Sequence, residues 1–389
     1  MKNKSFYALF TGNFLAQLGD SFYIIALISF IYNQTGSATI SAVIPVLRVM
    51  AQVLSGLLTP FLIDQFPLKA LLVSSQACQT SILLLLTMAT NSVSLLLILT
   101  FIISFFDGWI KPCRNSLIPS LVPKSQIFKA NSFINSFDQV IQLIGWSTGG
   151  LFIVYFGEVE VLLATVSLFL ISTLLLSVIK TRSTLEKNKK VKEAKLKKFL
   201  SGWLLIWNNK VLKTIVAMDI IETFAGSIWI GSIILVFVKE NLHQSESWWG
   251  FINATNCGGM ILGSLVALLF SKKMDHKLRA TIFASSLSVC ILTTLFAINT
   301  NPWFALGISL LMGIPYQIRD ITQQTFFQTS VSYTELPKVY SVHGILNYSA
   351  FGLSVLMMGF ISDYFGVQKV YIVASFLYGL SALMTRFLK

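Results

Sequence analysis

Apolar residues along the chain come in blocks separated by short polar breaks, each block about 20 residues long. A bilayer core of about 30 Å asks for that length of helix. Twelve blocks stand out, near residues 8–32, 38–63, 69–89, 93–112, 130–156, 159–179, 212–238, 247–271, 279–298, 302–321, 338–362 and 367–387. The fifth, eighth and eleventh are interrupted by glycine and polar residues. The first contains FLAQLGDSFYIIAL, residues 14–27, with one carboxylate, Asp20, in an apolar run too long for an ordinary core helix. The basic start, MKNK, resembles that of a signal peptide. The run continues to about Tyr32 and includes Asn13 as well as Asp20, so it reads as a first membrane helix.

Composition sharpens the class. Of 389 residues, 54% are hydrophobic and 12% charged, against about 25% charged in a soluble domain. The fold class predicted is all-α membrane protein with twelve transmembrane helices. Four scattered cysteines without CxxC spacing read as packing residues. The three scattered histidines suggest no metal site, and no cofactor motif is present.

Charge fixes the orientation. With twelve spans, one set of loops holds Lys2, Lys4, Lys69, Lys111, Arg114, Lys124, Lys129, the cluster 180–213, Lys272, Lys273, Lys277, Arg279, Arg319, Lys338, Arg386 and Lys389. The other holds Lys239 and Lys369. This asymmetry is the positive-inside pattern, and it places both termini in the cytoplasm of a cell with this plasma-membrane protein. The net charge of +13 then meets anionic lipids at the cytoplasmic face, with no nucleic-acid partner required. Residues 180–198 hold nine basic and two acidic side chains. They predict a solvated linker with an amphipathic segment on the membrane surface.

That linker divides the chain into an N-terminal six-helix bundle, 1–180, a linker, 181–211, and a C-terminal bundle, 212–389. The halves show a faint repeat. YFG at 155–157 returns at 364–366, and the same 209-residue offset aligns Lys129 with Lys338, Ser132 with Ser341 and Gly150 with Gly359. Two repeats around a long cytoplasmic loop are a transporter architecture, with the site near the midplane. Gly145 and Gly149, and Gly259 and Gly263, are four apart, a spacing that lets helix backbones approach closely.

The chain resembles the major facilitator superfamily, and within it the drug:proton antiporter branch that includes macrolide-efflux proteins. The resemblance lies in NQTGSATISAVIPVLRVMAQVLSGLLTPFLIDQFPLKALL, in KPCRNSLIPSLVPKSQIFKANSF and in WNNKVLKTIV. It implies two pseudo-symmetric six-helix bundles, alternating access and a cavity lined by the first and seventh helices. The hallmark loop of the family, roughly G-x-x-x-D-R-x-x-R-R/K, is here reduced to DQFPLK. The resemblance gives Asp64 and Lys69 a gating role, with Asp107 and Arg114 as partners. Gln65 stands where an arginine is usual, which leaves a weaker latch.

A charge at the bilayer centre costs about 2.5–3.5 kcal/mol on insertion scales and normally faces a cavity or a partner. The candidates are Asp20, Arg48, Asp107, Asp138, Asp219 and Glu222. Asp20 lies midway along the first span and Arg48 ten residues into the second, so the two are predicted to pair. Asn13, Gln17 and Asp20 form a polar stripe, and Asp219 and Glu222 share a face of the seventh span. These residues are the expected substrate and proton site. Each also fits a buried ion pair or a cap kept for packing.

The function predicted is secondary transport: proton-coupled export of a small amphipathic substrate by a monomer. A lipid or lysolipid flippase of the same fold is the alternative, and a non-transporting membrane interaction protein the alternative of another class. No nucleotide loop, metal cluster or nucleophile triad suggests an enzyme.

Overall fold

The computed structural model describes residues 4–36, 38–63, 65–88, 92–180, 195–229, 231–245 and 247–388. Every regular element among them is helical. The chain forms α1 (Lys4–Thr35), α2 (Ala38–Ile63), α3 (Leu68–Met88), α4 (Val93–Leu121), α5 (Ile127–Phe156) and α6 (Glu158–Ser177). It continues through α7 (Lys195–Asn208), α8 (Lys210–Gly226), α9 (Gly231–Glu240), α10 (Ser247–Leu269), α11 (Ser271–Asp275) and α12 (Leu278–Ile298). It ends with α13 (Pro302–Thr329), α14 (Leu336–Phe365) and α15 (Val367–Met384).

Each of the twelve apolar blocks becomes a helix, and the seventh becomes two. The fifth, eighth and eleventh are continuous as α5, α10 and α14. The break falls instead after Gly226, where a 3₁₀ turn at Ser227–Trp229 separates α8 from α9 and the two segments meet at 47°. Among the described residues nine helices, plus this bent pair, are long and apolar enough to cross a membrane. Of the remaining two, α5 includes side chains outside the described residues, and α13 carries amide and charged side chains that dilute its apolar character.

Local chemistry sets the helix ends. Asn209 caps α8 by accepting from the amides of Val211 and Leu212, and Asn301 caps α13 ahead of Pro302. The repeated YFG has a backbone reason. Gly157 and Gly366 have φ of 92° and 85°, and each forms the turn between two consecutive spans. A residue with a Cβ is strained in that region.

The chain resolves into two compact units, Met1–Lys124, Val140–Leu204 and Ser332–Ile345 in one, Ser125–Gln139, Leu205–Val331 and Leu346–Lys389 in the other. In the first, Tyr23, Leu27, Ile31, Leu83, Ile103 and Phe169 form a buried core. Its helix α5 closes on α1 at glycine: a Cβ on Gly145 would lie 2.7 Å from the Ser21 side chain. In the second, Phe237, Phe296 and Tyr371 stack with ring centroids 4.7–5.2 Å apart. There α10 and α13 touch backbone to backbone at Gly259, Gly263 and Gly313.

Part of the amphipathic segment is α7. Leu200, Leu204 and Trp207 are exposed along one face. Gly202, on another face, lies so near α14 that a Cβ there would sit 2.6 Å from the Lys338 carbonyl oxygen. Lys213 lies 3.8 Å over the Trp207 ring. The basic run 181–194 lies outside the described residues.

A Cβ on Gly259 would meet the Leu310 carbonyl oxygen at 2.0 Å, whereas one on Gly307 meets nothing within 4 Å. Gly259→Val should therefore cost stability by about 1–3 kcal/mol or more through overpacking, and Gly307→Ala should be silent. Thermal melting of the two purified variants in detergent checks this. Equal melting points would remove the close α10–α13 approach.

Candidate functional site

In the first unit, charge gathers midway along three helices. Arg48, on α2, reaches Asp20 on α1 with both terminal nitrogens, Nη1 to Oδ1 and Nη2 to Oδ2, each at 3.0 Å. This fork-to-fork contact is the strongest geometry an arginine offers a carboxylate. The same Nη2 stands 3.7 Å from Oδ2 of Asp107 on α4, and Gln52, one turn beyond Arg48, donates to that oxygen at 2.9 Å. Arg48 is 13% exposed, Asp20 34% and Asp107 35%.

The backbone brings these groups together. Gly108, the neighbour of Asp107, packs on α2 so closely that a Cβ would meet Ser55 Oγ at 2.5 Å and Gln52 Cα at 3.2 Å. Trp109 then locks the contact by donating its indole N–H to the Ser55 carbonyl at 2.9 Å. Asp107 thus stands beside Arg48. Arg114, two turns along α4, instead donates to Asn13 on α1 and contacts Asn115 at 3.2 Å. Lys69 lies on the first turn of α3, half-buried. Asp64 lies outside the described residues. Of the first-helix stripe, Asn13 is buried while Gln17 and Asp20 are half-buried.

The second unit has its own charged centre. Arg319 Nε lies 3.2 Å from Glu222 Oε2, and the two are 3% and 5% exposed. Ser381 donates to the other Glu222 oxygen. The guanidinium is 4.5 Å from the Tyr316 ring centroid and 5.4 Å from that of Tyr378. Arg319 was expected in a cytoplasmic loop. The structure corrects this, because α13 runs on to Thr329 and buries it. The missed signal was the extra length of apolar and amide residues after position 321, which read as a loop because its glutamines lowered the local hydropathy. Asp219, one turn before Glu222, is half-buried, as is Asp138 on α5.

A third group of polar contacts joins the start of α5 to the end of α13. Asn131 Nδ2 donates to Thr325 Oγ1 at 2.9 Å and to Gln328 Oε1 at 2.8 Å. Asn135 Nδ2 donates to Gln324 Oε1 at 3.0 Å, and Gln317 Nε2 to Asn135 Oδ1 at 3.3 Å. The pairs step down the two helices in antiparallel register. This ladder was not foreseen, although the polar positions at i and i+4 on both helices were visible in the sequence. Between α10 and α12, Asp275 closes the short α11. Burial pushes its carboxyl above the ordinary range, and His276 partly offsets this.

Comparison with known proteins decides the class. The family model for the Major Facilitator Superfamily matches residues 9–355. The chain belongs to the major facilitator superfamily. It is 33% identical to the uncharacterized MFS-type transporter YfmI of Bacillus subtilis, over 98% of this chain and 95% of that one. It is 18% identical to Macrolide efflux protein A of Streptococcus pyogenes, over 95% and 92%. The fucose:proton symporter FucP of E. coli superposes with a TM-score of 0.82 at 16% identity, covering 99% and 98% of the two chains, which shows the shared fold. The chain is thus a multi-pass membrane transporter with twelve spanning helices in two pseudo-symmetric six-helix bundles.

The pseudo-symmetry reaches the polar centres. The offset of 209 that relates the two YFG turns also pairs Asn13 with Glu222, Arg114 with Gln323 and Ser172 with Ser381. Asn13 accepts from Arg114, and Glu222 lies beside Gln323. Ser172 donates to the Gly12 carbonyl, next to Asn13, and Ser381 to Glu222 itself. The related positions thus hold an amide bonded to an arginine in one half and a carboxylate beside an amide in the other, where the counter-charge, Arg319, comes from a position outside the matched set.

Breaking the buried pair should be costly. Arg319→Met leaves Glu222 buried without its counter-charge, an expected loss of about 3–5 kcal/mol. The double variant Glu222→Met with Arg319→Met should recover most of it. Melting curves in detergent read both. A single variant that melts with the wild type would show that the pair contributes nothing to stability.

Proposed function

We propose that this transporter exports small amphipathic compounds from the cell in exchange for protons. The observation that carries the reading is the Asp20–Arg48–Asp107 centre, three charges held midway along apolar helices. About a third of each carboxylate is left uncovered by protein. A charge within a membrane protein faces a partner or water rather than hydrocarbon, so the uncovered side is suited to meeting solvent, protons or substrate. An ion pair kept only for packing would be covered, as Glu222 and Arg319 are.

Export is favoured by the similarity to Macrolide efflux protein A. The basic loops put both termini in the cytoplasm of a plasma-membrane protein, and anionic lipids meet the basic linker. Residues 1–180 and 212–389 act as the two moving halves of a monomer. Asn13, Gln17, Asp138 and Asp219 stand as further groups along the substrate and proton path, whereas Glu222, first expected there, is covered by Arg319 and holds its helices together. Asp64, Lys69 and Arg114 act at the cytoplasmic gate. The amide ladder from Asn131 and Asn135 to α13 supplements a latch poor in arginine.

Respiring everted vesicles with an acid interior provide the test. Addition of ethidium, tetraphenylphosphonium or erythromycin to vesicles containing the transporter should release lumenal protons, seen as recovery of acridine-dye fluorescence. Vesicles without it should show no recovery. If uptake of all three compounds is indifferent to collapse of the pH gradient by nigericin, proton exchange is ruled out.

A further inference from the structure

The first-unit centre does not balance. It holds two carboxylates, Asp20 and Asp107, and one guanidinium, Arg48. Glu222 and Arg319, by contrast, are matched one for one and are almost wholly covered. Resting on the proton-coupled reading above, we infer that Asp107 is the carboxylate that takes up the transported proton, while Asp20 serves as the fixed anchor of Arg48.

The geometry separates the two acids. Asp20 has both oxygens engaged by Arg48 at 3.0 Å, so protonating it would sacrifice a charge-assisted bond on either side. Asp107 meets the same guanidinium only at 3.7 Å, beyond hydrogen-bond reach. Its direct partner is Gln52, a neutral amide that donates to Oδ2. An amide donor serves the carbonyl oxygen of a neutral acid as well as a carboxylate. Oδ1 is then the oxygen that carries the proton, and the acid need not leave its bond to Gln52 when it loads or unloads.

The surroundings are consistent with this division. From α1 the groups facing Asp107 are Asp20 and Tyr23, and from α2 they are Arg48 and Gln52. On α4 itself Lys111 stands one turn away and is exposed, so solvent screens it. Arg48 is already committed to Asp20. A second ionised carboxylate therefore repels the first with no cation of its own, and one proton removes that repulsion. The centre then carries one proton per cycle: the proton enters from one side of the membrane, binds Oδ1, and leaves to the other. No bond of the substrate is made or broken.

Infrared spectroscopy can identify the acid without any substrate. The full-length protein, purified and reconstituted in lipid, should show the carbonyl stretch of a carboxylic acid that appears and disappears as pH is lowered and raised. Asp107→Glu should shift the frequency of that band. Asp20→Glu, which keeps the charge, should leave it in place, and Asp107→Asn should abolish it. The inference is overturned if the band follows Asp20→Glu, Glu222→Asp or Asp219→Glu, or if wild-type protein shows no titrating acid band. This outcome is separable from that of the vesicle assay. Vesicles that exchange protons while the band follows another residue would displace Asp107 and leave proton-coupled export standing. Vesicles without coupling would remove the export reading whatever the spectra show.

Discussion

A guanidinium cannot be left alone between helices in a lipid bilayer. Arg48 meets this constraint by drawing α1 and α4 to α2, and much of the first unit follows from it. Asp20 must face inward from α1, so the face of α1 that carries it is fixed. Asp107 must come within reach from α4, so the residue next to it has to let the two backbones close, and Gly108 does so. The Trp109 bond to the Ser55 carbonyl then ties the same crossing one residue later. Asp20 of α1 and the consecutive Asp107, Gly108 and Trp109 of α4 thus act as a single positioning device, with the aliphatic core filling the space around it.

The second unit answers the same constraint differently. Arg319 is enclosed by Glu222 and by two tyrosine rings, with Ser381 completing the carboxylate. The repeat relation explains why these centres are comparable but not alike. At the positions of Glu222, Gln323 and Ser381 the first half has Asn13, Arg114 and Ser172. One half thus keeps a neutral acceptor where the other keeps an acid. Duplicated bundles give each half the same set of helix crossings, and the chemistry at each crossing is free to diverge. The open, unbalanced centre is suited to work on a moving ion. The closed, balanced one is suited to holding three helices together.

Much of this was legible in the chain. Span count, helical class and the pairing of Asp20 with Arg48 came from block length and from depth along two helices, because an intramembrane charge has few places to go. The YFG repeat was visible as well, and the left-handed φ of Gly157 and Gly366 supplies its cause. Arg319 was misplaced because hydropathy averages over a window. Gln317, Gln323, Gln324 and Gln328 made the end of α13 look like a loop, whereas in three dimensions their partners sit on α5 or beside Glu222. Asp107 was grouped with Arg114 because the two share a helix end in sequence. Which face each occupies depends on the crossing at Gly108, and a single sequence does not display crossings.

The contrast between charged and amide contacts bears on how such a molecule could change shape. A buried ion pair is strongly held once formed, since separating it strands two charges where water is scarce. An amide hydrogen bond contributes about 0.5–1.5 kcal/mol net, because water replaces it readily on opening. The Asp20–Arg48 contact joins α1 and α2, neighbouring helices of one proposed half that have no need to part. The four ladder bonds from Asn131 and Asn135 reach instead across nearly 200 residues of chain to α13. On the proposed reading these two helices belong to opposite moving halves. A surface that must open in every cycle is better served by several weak, exchangeable bonds than by one charged pair. The loss of arginine from DQFPLK and the presence of amides on α5 and α13 would then express a single economy: a closure that holds by number of bonds and opens without exposing a bare charge.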